Sequence, residues 1–596
     1  MKTGILLRLG SSLVVGAILA ACGNSSSTAI SSTVTSTTAF KPALDGSGEN
    51  LYNGIRGGTL TVEDSTDFQH LDPGQAYDTV SYEVVYATQR PLFSYPPDQT
   101  EAPSPDLASG PAIVSADGKT VTVHIKHGVY FSPPVNREVT SSDVAYAIER
   151  GANPNVLNPY FSAYFFDIVG ASKATGGPIP GIVTPNRYTI VFHLTGPYGT
   201  FFASALALPL TAPVPKEFAA PLDAKKPTAY GSMYEVATGP YMLKANAKGM
   251  FLGIGYRPGR SAVLVRNPNW NPATDRRPAY LNQIDIEIGG DPNVIGRQVL
   301  SGSDMVQNDQ VAPAIVQLAY RHYYNQLVVV PGAGIAYVTL NNHAGPFSNV
   351  NARRAVWAAL NRDAMVNAYG GPVVGQVATH FIYPGSEGYE QAGGAAGPQV
   401  DFNRYPSGNM ALAAKYMKAA GYPSGRYTGH ATVQVVGAVG SPFAELAEIV
   451  NQTLRNLGFN TRLTLLTFPV MSTRFCGVPR EEIDVCPTAA WTRDFADPQT
   501  ILDPTFAGYN IVPEGNSNWG QVDDPQINAA MRAAERVVGT AARAQAWAGI
   551  DRMLVGIAAA VPYLFNKWPL IESRDVRGIN DVWNGGSWDY AYTSLR

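Results

Sequence analysis

Few residues in this chain stand at spacings that could support covalent chemistry. Gly118-Lys119-Thr120 resembles the end of a phosphate-cradling loop, but Ile113 occupies the position where that loop's first glycine belongs. No G-x-S-x-G nucleophile elbow and no H-E-x-x-H zinc helix occurs. Of 8 histidines, only His124 and His127 are near neighbours, and on a strand that spacing points them to opposite faces. No metal site follows, and nothing calls for a cofactor. Carboxylate pairs abound, as in any long chain, so a glycosidase-type pair stays open. The pattern favours binding over catalysis.

The elements that must position any binding residues are easier to read. "TVTVHIKHGVYF" (Thr120 to Phe131) alternates like a strand. "TSSDVAYAIER" opens a helix, with Thr140 at the N-cap and Asp143 at N3, where a carboxylate suits the helix dipole. In "SPFAELAEIVNQTLRNLGF" Ser441 is expected to cap and Pro442 to sit in the first turn. Leu446, Ile449, Val450, Leu454 and Leu457 share one face, and Gly458 stops the helix. Val433 to Phe468 thus reads strand, helix, strand, the crossover unit of a largely parallel sheet. The chain has 596 residues, 45% apolar and 15% charged, with a net charge of −3. A body of this length must divide into at least two lobes. The charge balance argues against nucleic acid, whose binding needs clustered Lys and Arg.

The N-terminus indicates a compartment. Lys2 and Arg8 bracket a positive start, and Leu9 to Ala21 is an uncharged apolar run of signal-peptide length. "LAAC" resembles the lipobox of bacterial lipoproteins, which implies that residues 1–21 are removed and that Cys22 carries a lipid anchor. The Ser/Thr tract that follows buries too little apolar surface to fold, so 22–56 reads as a flexible tether. Outside the cytoplasm Cys476 and Cys486 read as a disulfide closing one loop, with two buried thiols as the alternative.

Five stretches, in order, resemble one family, the extracytoplasmic solute-binding proteins of peptide-type ABC importers. They are "RGGTLTVEDSTDFQHLDPGQAYDT"; "GVYFSPPVNREVTSSDVAYAIER"; "ATGPYML" with "SAVLVRNPNW"; "AYVTLNNHAGPFSNVNARRAVWAALNRDAMV"; and "WTRDFADPQTILDPTFAG" with "DDPQINAAMRAAERV". The resemblance implies an α/β, two-lobed periplasmic-binding-protein type II fold, a Venus flytrap whose hinge the chain crosses twice. Lobe I is expected at 57–331, with an inserted subdomain at about 91–235 and a return at 561–596; lobe II spans 332–560. The crossings fall at "VVPGAGIAYVTLN" and "AAAVPYLFN".

The family also suggests the ligand contacts. In peptide-binding members an Asp in a segment like "WTRDFADP" pairs with the ligand's α-amino group, and here that residue is Asp494. A carboxylate facing a cleft is costly to desolvate until a cation neutralises it, which makes it selective for an amine; an internal bridge to Arg493 is the alternative. Trp491 matches an aromatic that lines side-chain pockets in the family, with a core Trp as the equal alternative. Gln75, Tyr77 and Asp78 follow the L-D-P turn, where lobe I borders the cleft, with a capped helix start as the favoured alternative to binding; Tyr509 and Asn510 are further candidates. Asp497 before Pro498 reads as fixing the turn. Dipeptide-selective members carry an Arg just before a helix like Ser441 to Leu457, but this chain has "VQVVGAVGSPF" there. A short-peptide length gauge is therefore in doubt; Arg474 is a weak substitute, and relatives that take nickel chelates, haem or sugars keep the ligand open. The expected protein is a monomeric, lipid-anchored receptor that delivers a peptide or similar solute to an ABC permease without altering it. A solute sensor or surface protein, or a secreted hydrolase, remains the alternative.

Overall fold

Two long strands, Leu327–Leu340 and Ala560–Glu572, run antiparallel to each other through the middle of a 12-stranded sheet. The computed structural model describes residues 51–97, 102–578 and 589–596. Cys22, the expected signal peptide and most of the Ser/Thr tract lie outside the described residues. On one side of the long pair lie, in order, Met305–Gln307, Thr59–Asp64, Gln283–Ile288, Ser261–Arg266 and Tyr241–Leu243. On the other lie Val485–Thr492, Thr432–Ala438 and Asn460–Leu466. The long strands thus tie two α/β halves together, and the chain passes between the halves once along each of them.

The pairing between these strands breaks where the halves meet. Pro331 pairs with Lys567, and the register resumes at Ile335 opposite Phe565. A Cβ on Gly332 would sit 2.0 Å from the Asn566 carbonyl oxygen, so only glycine permits this approach. The break falls inside the expected crossing "VVPGAGIAYVTLN". The sheet is mixed rather than largely parallel. The crossover strands pair parallel, Thr432 with Asn460 through Ala438 with Leu466, whereas the long strands run antiparallel to their neighbours. A chain that goes out and back through one junction must lay those two strands in opposite directions.

Local expectations fare unevenly. Thr140 caps the helix Ser141–Gly151, and its N–H donates to the Asp143 carboxylate at 2.8 Å. Leu446, Val450 and Leu454 are buried under the helix Phe443–Asn456, and Gly458 ends it with φ +95°. Ser441 does not cap this helix. Pro442 takes the cap position, and its carbonyl accepts the Leu446 N–H at 3.1 Å. The strand from Thr120 ends at His124, because the chain turns through Gly128 at φ +72°.

A separate antiparallel sheet of 4 strands, from Ile113–Val114 to Thr189–His193, sits in the expected subdomain. Its core includes Val121, Val123, Val144, Ile148 and Phe192, and also takes in Phe495 and Ala496 from the far half of the molecule. Phe495 is fully buried, its ring 5.0 Å from that of Tyr164 and 5.1 Å from that of Phe201. The packed chain starts before residue 57. Leu51 is buried, the Tyr280 hydroxyl donates to its carbonyl at 2.8 Å, and Tyr52 meets Tyr592 edge-on at 5.8 Å. Leu51 and Tyr52 have apolar surface to bury, unlike the Ser/Thr tract before them.

Candidate functional site

Val485–Thr492 is a buried strand that ends where the two halves face each other, and the turn Arg493–Pro498 follows it. Buried Asp497 holds this turn. It accepts the Gln499 N–H at 2.9 Å and pairs with Arg543 at 2.9 and 3.0 Å. The Tyr95 hydroxyl accepts the Ala496 N–H at 2.9 Å, so the turn is also gripped from the opposite half. The Arg493 guanidinium lies 5.0 Å from the Tyr95 ring centre and donates to the Tyr383 hydroxyl at 3.1 Å. It is turned away from Asp494.

Asp494 is buried and takes hydrogen bonds from the Tyr77 hydroxyl at 2.5 Å and from the Tyr164 hydroxyl. Among the described residues no Lys, Arg or His pairs with it, which removes the expected alternative of a bridge to Arg493. Burial pushes its carboxyl up to about 6, and the two phenol hydrogen bonds offset only part of that cost. Both phenols come from the other half. Tyr77 is held by the turn before it: Asp72 accepts the Gly74 N–H at 2.7 Å and the Gln75 N–H through its carbonyl at 2.9 Å. Arg150 clamps Asp72 with two bonds of 2.8 Å. The charged pair is buried and bidentate, a geometry suited to a rigid platform.

Between the halves lies a cavity of about 550 Å³, within the usual range for small-ligand sites. Tyr77, Tyr160, Tyr164 and Phe201 line it from one side, and Trp491, Tyr509 and Asn510 from the other. The Trp491 Nε1–H donates to the Thr500 carbonyl at 2.8 Å, which fixes the indole against the helix Gln499–Phe506. Asp494 sits behind this wall, beneath the two phenols. Two expected residues lie elsewhere. Asp78 caps the helix Thr79–Thr88, accepting the Ser81 N–H at 2.9 Å, and Gln75 is buried in the turn; neither lines the cavity. Arg474 is exposed and does not line it either.

Sequence reasoning missed Tyr164, Asp167, Asp503 and Glu535, all of which line the cavity. Asp503 accepts from the Tyr509 hydroxyl and from Asn510 Nδ2 at 2.8 Å, and burial pushes it up to about 6. Asp167 is raised by burial and then by the like charge of Glu535. The density of aromatics from Tyr160 to Phe166 is a local signal for the first of these; the acids have none. Cys476 and Cys486 form a disulfide that fastens the turn Ser472–Cys476 to the strand Val485–Thr492. That turn adjoins the cavity rim, where the Gly477 carbonyl accepts the Asn516 N–H at 3.0 Å, between lining residues Gly515 and Ser517.

A cavity enclosed between two α/β halves joined by two strands is the architecture of a capture protein, and comparison with known families agrees. The model of the bacterial extracellular solute-binding proteins, family 5 (middle region), matches residues 102–512. The chain belongs to this family. This solute-binding protein is 24% identical over 470 residues to the glutathione-binding protein GsiB of Salmonella choleraesuis, covering 76% of this chain and 78% of that one. It is 23% identical over 519 residues to the periplasmic oligopeptide-binding protein OppA of Escherichia coli, covering 85% and 87%. Its fold superposes on the clavulanic acid biosynthesis oligopeptide binding protein 2 with a TM-score of 0.77 at 25% identity, covering 91% and 96%. The solute-binding protein thus has the two-lobed α/β fold of periplasmic binding proteins, with a hinge crossed twice, and serves substrate capture for an importer. No helix among the described residues is long and apolar enough to cross a membrane.

Proposed function

We propose that this protein captures peptides, or solutes of similar size that carry a free amine, and presents them to the membrane subunits of an ABC permease. The observation that carries the reading is Asp494: a buried carboxylate beneath the cavity wall, held by two phenols and, among the described residues, paired with no cation. An ammonium group entering the cavity supplies the missing charge, and Tyr77 and Tyr164 orient the carboxylate to receive it. Trp491, Tyr509 and Asn510 form the opposite wall, and peptide backbone can add hydrogen bonds along it. The ligand leaves unaltered, and its preference for the closed form draws the lobes together. Lobe I comprises about 57–331 with the return at 561–596, and lobe II 332–560. The protein works as a monomer moored through lipidated Cys22 after removal of residues 1–21.

The test is calorimetry on the full chain with short peptides and their N-acetylated counterparts. Acetylation, or the substitution Asp494→Ala, is expected to weaken binding from about 30-fold to several thousand-fold, the range for breaking a desolvated charge pair. Equal affinity of Asp494→Ala for amine-bearing peptides would remove Asp494 from the site and leave the fold assignment standing. Intact mass spectrometry of membrane-extracted protein tests the anchor, which a Cys22→Ala chain must lack.

A further inference from the structure

The cavity carries a second set of charges beyond Asp494. Asp167 reaches it from one half, and Asp503 and Glu535 from the other. The Tyr509 hydroxyl faces both Asp503 and, at 2.8 Å, Glu535. A phenol has one proton to give, so it cannot satisfy two carboxylates at once, and an acceptor on this wall is left for another donor. Asp167 adds a like charge from across the cavity. Among the described residues three guanidinium groups are near: Arg543, buried and already paired with Asp497, and Arg532 and Arg536, both exposed. Arg532 lies 3.5 Å over the Tyr509 ring with Nη1 3.6 Å from Glu535, and its side chain is 57% exposed. Arg536 is exposed, 6.0 Å from the Tyr198 ring centre. Solvent screens such guanidinium groups, so they neutralise the inner carboxylates weakly. The walls between the two charge sets are aromatic, surfaces that also favour a cation.

We infer that the cavity selects ligands with a second cationic group, a guanidinium or an ammonium, which Asp167, Asp503 and Glu535 receive while Asp494 takes the amine. The substrate class is a peptide beginning with arginine or lysine, or a dication of similar reach. This rests on the reading of Asp494 given above. A guanidinium offers five N–H donors in a planar fork, enough to bond Asp503 and Glu535 together and to end the competition for the Tyr509 proton.

The experiment is calorimetry on the full chain at pH 7 with three probes: Arg-Ala-Ala, its neutral isostere citrulline-Ala-Ala, and agmatine, a guanidinium amine with no peptide bond. Arg-Ala-Ala is expected to bind at least about 30-fold tighter than the citrulline peptide. In Asp503→Asn and Glu535→Gln that preference, read as the ratio of the two affinities within each variant, is expected to fall below about fivefold. The two variants act on different elements, and thermal melting checks that each stays folded. Equal affinity of the two peptides overturns the inference and leaves the peptide reading intact. Binding of agmatine alone, sensitive to both variants, supports the inference and overturns the peptide reading. No binding of any probe overturns both.

Discussion

Acidifying the solution from pH 7 to pH 5 is expected to weaken capture of an amine-bearing peptide about tenfold through Asp494 alone. The chosen peptide has an apolar first residue, so that no second cation engages Asp503 and Glu535, and Asp494→Asn separates the slope of Asp494 from that of Asp503. Its α-amine, titrating near 8, and its carboxylate, titrating near 3.5, hold their charges throughout this range. Asp494 does not, because burial pushes it up to about 6. Such a group is about nine-tenths ionised at pH 7 and about one-tenth at pH 5, a difference of about 1.4 kcal/mol in binding if only the anion holds the ammonium. Folding stability runs the other way. A carboxyl raised above its unfolded value binds its proton more tightly in the folded protein, so its stabilising contribution is complete below the ordinary carboxylate range and is lost as pH rises through about 6. Acid therefore tightens the fold at this residue while it weakens the grip on the ligand. Calorimetry at pH 5, 6, 7 and 8, in paired buffers of different ionisation enthalpy, reads both the affinity and the proton released on binding. Asp494→Asn is expected to bind weakly with no pH slope between pH 5 and pH 7. An unchanged affinity between pH 5 and 7, or the same slope in Asp494→Asn, would refute the reasoning.

Other perturbations test the frame around the site. Phe495→Ala empties a space between Tyr164 and Phe201 and should cost about 3–5 kcal/mol in urea unfolding; a loss under 1 kcal/mol would mean the ring is not seated in that core. Gly332→Ala puts a methyl group against the Asn566 carbonyl and should lower the melting temperature and change the small-angle scattering profile, whereas a native profile would contradict the close approach. Arg543→Met strands buried Asp497 and should cost about 3–5 kcal/mol while loosening the turn that carries Asp494, which peptide affinity would register. Cys486→Ser opens the loop to Cys476 and should cost about 2–4 kcal/mol under oxidising conditions, with no difference from the parent chain in reductant.

What could be read in advance depended on how local the physics was. Thr140 with Asp143, and the apolar face from Leu446 to Leu457, are set by neighbours three or four residues away, and both are present. Ser441 went wrong for an equally local reason, since the proline after it took the cap position. The family segments conveyed the fold because four of the five carry a strand of the sheet around the long pair, and the other, Gly128 to Arg150, builds the subdomain core. The environment of Asp494 was not legible. Tyr77 and Tyr164 lie 417 and 330 residues away in the chain, and no periodicity marks a phenol that will meet a carboxylate across a cleft. Arg493, adjacent in sequence, looked like the natural partner, yet in the turn its guanidinium lies against the Tyr95 ring and donates to the Tyr383 hydroxyl. The acids Asp167, Asp503 and Glu535 come from three separated segments and share a cavity only after folding.

The contact between Tyr52 and Tyr592, and the pairing of Val576 with Leu595, bring both ends of the described chain onto the same half of the molecule. A fluorophore placed near either end therefore rides on one rigid body and is blind to the clamp's motion. A second dye on the far edge strand Asn460–Leu466 would travel with the other body, so energy transfer between the two becomes a direct readout of opening and closing.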